Sequence, residues 1–138
     1  MISSKGKSIA LKPEMLSTYG YRDLKKSENE YYFASKNNVY QYDLTTAYDL
    51  STASYASKSL STGLTNGVGL SISTDGTKLW ASDLGGTIQQ FTMSTAWDVS
   101  TASSDSKSLD VSARGTTTTG IYVSHDGSAV YITNLGTD

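Results

Sequence analysis

The sequence predicts an all-β fold of about three four-stranded antiparallel units packed side by side. Three observations predict it. The first is an internal repeat: residues 39–60 laid on 88–109, an offset of 49, are identical at 12 of 22 positions. A period near fifty residues marks one supersecondary unit used again. The second is a pair of Asp-Gly dipeptides, Asp75-Gly76 and Asp126-Gly127, each lying between short alternating runs. That is a strong hairpin signal. The third is apolar residues on both faces of those runs, which implies sheets covered on both sides.

The repeat is densest at Tyr48-Asp49-Leu50-Ser51-Thr52-Ala53-Ser54, which returns as Trp97-Asp98-Val99-Ser100-Thr101-Ala102-Ser103. A second block, Gly69 to Gly85, matches Gly120 to Gly136 at an offset of 51. The change of offset places a two-residue insertion around residues 110–119, which reads as a loop, where length varies at little cost. Each unit then reads as four strands. The first holds Lys58-Ser59-Leu60 or Lys107-Ser108-Leu109, and the second runs Gly69 to Ser73 or Gly120 to Ser124. The third runs Lys78 to Ser82 or Ala129 to Thr133. The fourth is Thr87 to Met93, with Asn38 to Leu44 as its counterpart one unit earlier.

Alternation sets the faces. Leu79 and Ala81 point one way and Trp80 the other, and Val130, Ile132 and Tyr131 repeat this. Tyr42 shares a face with Leu44, and Phe91 with Met93, while Val39 and Ile88 lie opposite. No stretch has helical period. The N-terminal third reads as a worn copy: Lys7-Ser8-Ile9 matches Lys58-Ser59-Leu60, Gly20-Tyr21 matches Gly69-Leu70, and Tyr32-Phe33-Ala34-Ser35 matches Leu79-Trp80-Ala81-Ser82. A charged stretch from Asp23 to Glu30 replaces the Asp-Gly turn. The units span about 7–48, 58–97 and 107–138 within one domain, 1–138. That makes eleven strands, the last unit stopping where its fourth would begin.

Composition agrees. Ser and Thr supply about three residues in ten and Pro occurs once, at Pro13, which suits strands with polar faces and hydroxyl-capped turns. A net charge of -2 without a basic stripe gives no support to nucleic acid as a partner. With no cysteine, disulfides, thiolate metal sites and cysteine nucleophiles fall away together. The start has no apolar core of secretory-signal length, and no apolar run approaches the roughly 18 residues that cross a bilayer. Membrane insertion is not expected.

Ser73-Thr-Asp-Gly-Thr-Lys-Leu-Trp-Ala81 and Ser124-His-Asp-Gly-Ser-Ala-Val-Tyr-Ile-Thr-Asn134 resemble the Ser-Pro-Asp-Gly-Thr-Lys-(apolar)-Tyr-Val-Thr-Asn hairpin of YVTN-type β-propellers, cousins of the WD-repeat group. Thr74 and His125 stand where that family usually has proline. The string from Val39 through Ser54 is similar to repeats in phage virion and tail proteins and in some bacterial surface proteins. The resemblance covers residues 30–138 and implies propeller blades. Propellers close with about 4–8 blades, and this chain carries fewer than three. With Met1 and an atypical first unit it reads as a natural start. Copies of the chain, or other virion proteins, are then expected to complete the ring, two copies giving six blades. The implied function is a non-enzymatic structural or assembly protein on a virion or an extracellular surface, without a cofactor.

Candidate sites divide between structure and binding. Ser124-His125-Asp126 has the letters of a hydrolytic triad, but neighbours in one tight turn cannot line up hydroxyl, imidazole and carboxylate. A lactonase-like hydrolase is disfavoured for that reason, and because no carboxylate cluster is visible. Asp49 and Asp98 are read as turn caps held by Ser51 and Ser100. The rival reading is a carboxylate ring for calcium, which wants 6–8 oxygens. Tyr48 and Trp97 are read as the wedge between consecutive units. Tyr40, Tyr55 and Tyr122 have polar counterparts, Gln89, Ser104 and Ser71, so packing does not require them. With Thr116–Thr119 they form a candidate ligand or partner surface, and a glycan-binding adhesion module is the alternative function. Lys7, Lys58 and Lys107 share one register, read as salt links to a neighbouring sheet or as edge guards.

Overall fold

The computed structural model describes residues 30–35, 37–115 and 117–135. They are all-β: nine strands, three single-turn 3-10 helices and no α-helix. The first sheet has the order β1 (Glu30–Ser35), β2 (Asn38–Leu44), β3 (Ala53–Ser61). The second is β4 (Gly67–Ile72), β5 (Lys78–Asp83), β6 (Thr87–Met93), β7 (Ala102–Asp110). The third is β8 (Thr118–Val123) with β9 (Val130–Asn134). Every pairing is antiparallel between neighbours in sequence. No helix among the described residues is long and apolar enough to cross a membrane.

The Asp-Gly hairpins form as the sequence predicts, each closed by its own side chains. The Asp75 Oδ1 accepts from the Ser73 hydroxyl (2.6 Å), the Thr77 amide (3.0 Å) and the Thr77 hydroxyl (2.9 Å), and Gly76 takes a φ of +73°. Ser124, Asp126, Gly127 and Ser128 repeat the arrangement. The long hairpins β2–β3 and β6–β7 turn through residues 45–52 and 94–101, each ending in a 3-10 turn. Both β3 and β7 carry a bulge opposite Gln41/Tyr42 and Gln90/Phe91, with Ser57 and Ser106 at positive φ (59° and 55°). A bulge of this kind bends the strand and increases its twist.

The middle sheet packs against a neighbour through each face, as the double apolar pattern requires, although Leu109 of β7 stays 48% exposed. Leu70, Ile72, Leu79, Ala81, Phe91 and Met93 pack with Val39 and Leu60 of the first sheet. Ile88 and Trp80 pack with Ile121, Val123 and Ile132 of the third. Gly69 lies where the backbones come close: a Cβ there would stand 3.1 Å from the Ile121 nitrogen. Ser71 ties the same two sheets, its hydroxyl accepting from the Val123 amide at 3.1 Å.

Two expectations are corrected. Lys58–Leu60 and Lys107–Leu109 do not open a unit. They lie in β3 and β7 and close the preceding sheet, Lys58 opposite Gln41 and Lys107 opposite Gln90. The repeat fixed the period but not the phase, because the turns at 45–52 and 94–101 return the chain beside the strand it has just left. The sheets therefore run 30–61, 67–110 and 118–134, not from 58 and 107. Likewise Tyr32–Ser35 is not in step with Leu79–Ser82. Ala34 pairs with Val39 as Ser82 pairs with Ile88, so the match is displaced by one residue. The expected strands around Lys7–Ile9 and Gly20-Tyr21 lie outside the described residues.

Candidate association site

The repeated heptapeptide folds the same way twice. Tyr48 and Trp97 sit at positive φ (66° and 67°), a costly conformation for a bulky side chain. Each is followed by an Asp that caps a 3-10 turn. The Asp49 Oδ1 accepts from the Ser51 amide at 3.0 Å and its hydroxyl at 2.6 Å, and Asp98 accepts from Ser100 at the same distances. The Ser51 hydroxyl, then its amide, holds Asp49 below the usual carboxylate range. Partial burial works against ionisation of Asp98, but the Ser100 hydroxyl and Lys58 outweigh it and lower its pKa too. Among the described residues no three potential metal ligands cluster.

The two copies differ in what they touch. The 3-10 turn Val99–Thr101 is seated on the first sheet: Val99 is buried, and its amide donates to the Gln41 Oε1 at 3.3 Å. Beside it the Lys58 ammonium meets the Asp98 carboxylate at 3.1 Å. The Trp97 ring lies over the Asp75-Gly76 turn, its Cε2 2.2 Å from where a Gly76 Cβ would stand, and its amide donates to the Gly76 carbonyl at 2.9 Å. The wedge expected of Trp97 lies between consecutive units, whereas this contact joins two turns of one sheet, β4–β5 and β6–β7. In the other copy Leu50 is 59% exposed and Asp49 is exposed.

The second sheet carries the same receiving register. Ile88, Gln90, Lys107 and Leu109 stand where Val39, Gln41, Lys58 and Leu60 stand in the first. With Trp80, Gln89, Ser108 and Val130 they line an open groove. Leu109 is 48% exposed against 8% for Leu60, and Val130 41% against 0% for Leu79. Lys107 is exposed and joins no ion pair among the described residues. Gly127 has the φ of Gly76 but nothing within 4 Å of an added Cβ.

The tyrosines form two groups. Tyr55 lies against Tyr40 (ring centroids 6.0 Å, edge-on) and against Tyr42 (5.6 Å). Tyr122 is on the third sheet, stacked on Tyr131 at 6.1 Å. The expected single surface is therefore divided, and Thr118 is buried, not part of it. His125 is exposed in its turn, where Asp126 is drawn down to about 2 by the Ser124 hydroxyl and then the Ser128 amide. Sequence reasoning missed Asp105, whose counterpart Ala56 is apolar. Its carboxylate accepts from Gln90 Nε2 (2.6 Å) and the Thr92 hydroxyl (2.6 Å), with the Lys78 ammonium at 3.3 Å. No protein-family model matches the chain, and no curated protein matches it.

Proposed function

We propose that this chain is a non-enzymatic assembly protein of the propeller-repeat type, a component of a phage virion or an extracellular surface that associates with copies of itself or with other virion proteins. The observation that carries the reading is exposed apolar surface on and beside the third sheet: Leu109 and Val130, 48% and 41% exposed, line one groove, and Tyr131, 60% exposed, stacks with Tyr122 on the opposite face of β9. Burying apolar surface contributes roughly 25 cal/mol per Å², so a neighbour covering these side chains is stabilised by them. The carboxylates of the recurring turns are engaged by local hydroxyls and amides, which suits scaffolding better than acid–base chemistry. Light scattering at micromolar concentration tests the reading. It predicts an assembled mass, and a monomer of 14.8 kDa that melts cooperatively overturns it.

The tyrosine cluster favours a second reading, a carbohydrate-binding adhesion module. Tyr40, Tyr42 and Tyr55 offer adjacent, partly exposed rings of the kind that pack on sugar faces. A glycan-array signal lost in Tyr40→Ala or Tyr55→Ala, with assembly intact, promotes this reading. A signal lost in Tyr122→Ala alone moves the site to the third sheet. No signal for the wild-type chain removes it.

A further inference from the structure

The contact between the first two sheets shows what the second sheet is shaped to receive. We propose that the groove between β7 and β9 takes up a β-hairpin of this chain's own repeat type, presented by another polypeptide. Its first strand would pair with the edge of β9, and its tip would carry aromatic–Asp–apolar–Ser–Thr. This rests on the reading that the chain works by association and specifies what is taken up.

Four features of this groove, open among the described residues, each have a filled counterpart inside the same molecule. At the Asp-Gly turn, Gly76 lies under the Trp97 ring, while the space over Gly127 is open. At the groove wall, Leu79 is fully buried, while Val130 is 41% exposed. At the floor, Leu60 is covered and Leu109 is not. At the rim, Lys58 holds Asp98, whereas Lys107 has no ionic partner among the described residues. In the filled case a single segment satisfies all four sites: β6, its turn and β7. Trp97 covers the glycine, Val99 and Phe91 pack with Leu79 and Leu60, and Asp98 takes the lysine. The occupant of the second groove is therefore defined position by position. It needs an aromatic over Gly127, an apolar residue against Val130 and Leu109, and a carboxylate for Lys107.

The edge of β9 supplies the remaining determinant. In the second sheet β5 pairs with β4 on one side and β6 on the other. β9, its equivalent, pairs with β8 and has no strand on its other side among the described residues. An extended segment that adds to such an edge gains main-chain hydrogen bonds, and the groove beside it reads the side chains. Gln90 stands in the register of Gln41, but its Oε1 already accepts from the Trp80 indole at 3.2 Å and its Nε2 donates to Asp105, so the side-chain anchor used by Val99 is engaged locally here.

The test uses a synthetic peptide of residues 87–110, the hairpin that fills the first site, labelled and titrated with the full-length chain. Saturable binding is expected, with β9 amides becoming protected from hydrogen exchange. Leu109→Lys in the chain weakens binding by about tenfold or more, since it puts a charge where an apolar contact is needed. Lys107→Glu weakens it several-fold, and Asp98→Lys in the peptide restores binding to that variant. The same residues are also appended through a flexible linker behind Asp138, where effective concentration is millimolar. A peptide too weakly folded to bind when free then still docks. Absence of β9 protection in the appended form, or binding indifferent to both groove substitutions, overturns the proposal. If the chain assembles yet takes up neither form, self-association stands and this site falls. If it is monomeric and binds both, the site stands and self-association falls.

Discussion

Gly76 and Gly127 have the same backbone conformation and opposite surroundings, so alanine at each should separate strain from packing. Both sit at φ +73°. Left-handed backbone costs a non-glycine residue about 1–2 kcal/mol, and Gly127→Ala should lose that amount and no more, since its Cβ meets nothing within 4 Å. At Gly76 the new methyl would lie 2.2 Å from Trp97 Cε2 and 2.5 Å from its Nε1. Forcing such an overlap typically costs about 1–3 kcal/mol more. Gly76→Ala should therefore lose about 2–5 kcal/mol. Urea unfolding followed by tryptophan fluorescence, from Trp80 alone where Trp97 is replaced, measures both in single and double variants. In a Trp97→Leu background the indole is gone, and the excess at Gly76 should fall toward the strain seen at Gly127. Equal losses at the two glycines, or an excess at Gly76 that survives Trp97→Leu, would refute the reasoning that the indole is seated on that turn.

Four further outcomes follow from the same structure. Val99→Ala should cost roughly 2 kcal/mol by loss of buried methyl groups in a fully enclosed site. Leu50→Ala, at the matching position but 59% exposed, should stay within about 0.5 kcal/mol by urea unfolding. A double-mutant cycle of Lys58→Ala and Asp98→Asn should give a coupling of about 0.2–1 kcal/mol that shrinks in high salt, because the pair is partly exposed. Acid should weaken the fold: Asp49, Asp75, Asp98, Asp105, Asp110 and Asp126 all lie below the ordinary 3.8 in the folded chain. The unfolded chain then binds protons first, so stability present above pH 4 is lost as pH falls from about 4 toward 2, where Asp126 titrates. Melting temperatures from pH 6 to pH 2 check this, and a fold that gains stability below 3.8 contradicts it.

How much of this could be read from the sequence depends on how local the cause is. The Asp75-Gly76 and Asp126-Gly127 hairpins were legible because the signal and the structure share the same few residues. The two-faced burial of the middle sheet was legible from Leu79 against Trp80 and Phe91 against Ile88, since a strand has only two faces. The phase of the repeat was not. Self-similarity is unchanged by where a unit is cut, and only the pairing of Lys107 with Gln90 shows which sheet β7 joins. The positive φ of Tyr48 and Trp97 carried no signal, because neither is a glycine, asparagine or aspartate. The partner of Lys58 was narrowed to an acid of a neighbouring sheet, but Asp98 emerged only from three-dimensional packing. Asp105 was invisible because a repeat comparison discards what differs, and its counterpart is Ala56.

The central claim is the proposal that the groove on the second sheet, open among the described residues, takes up a hairpin of the repeat type from another polypeptide. Native mass spectrometry of the full-length chain, beside its Leu109→Lys variant, addresses it most directly. The account predicts masses at multiples of 14.8 kDa for the wild type and their loss in the variant, with each monomer still folded. A wild type found only at 14.8 kDa, and unable to take up the 87–110 hairpin, would contradict it.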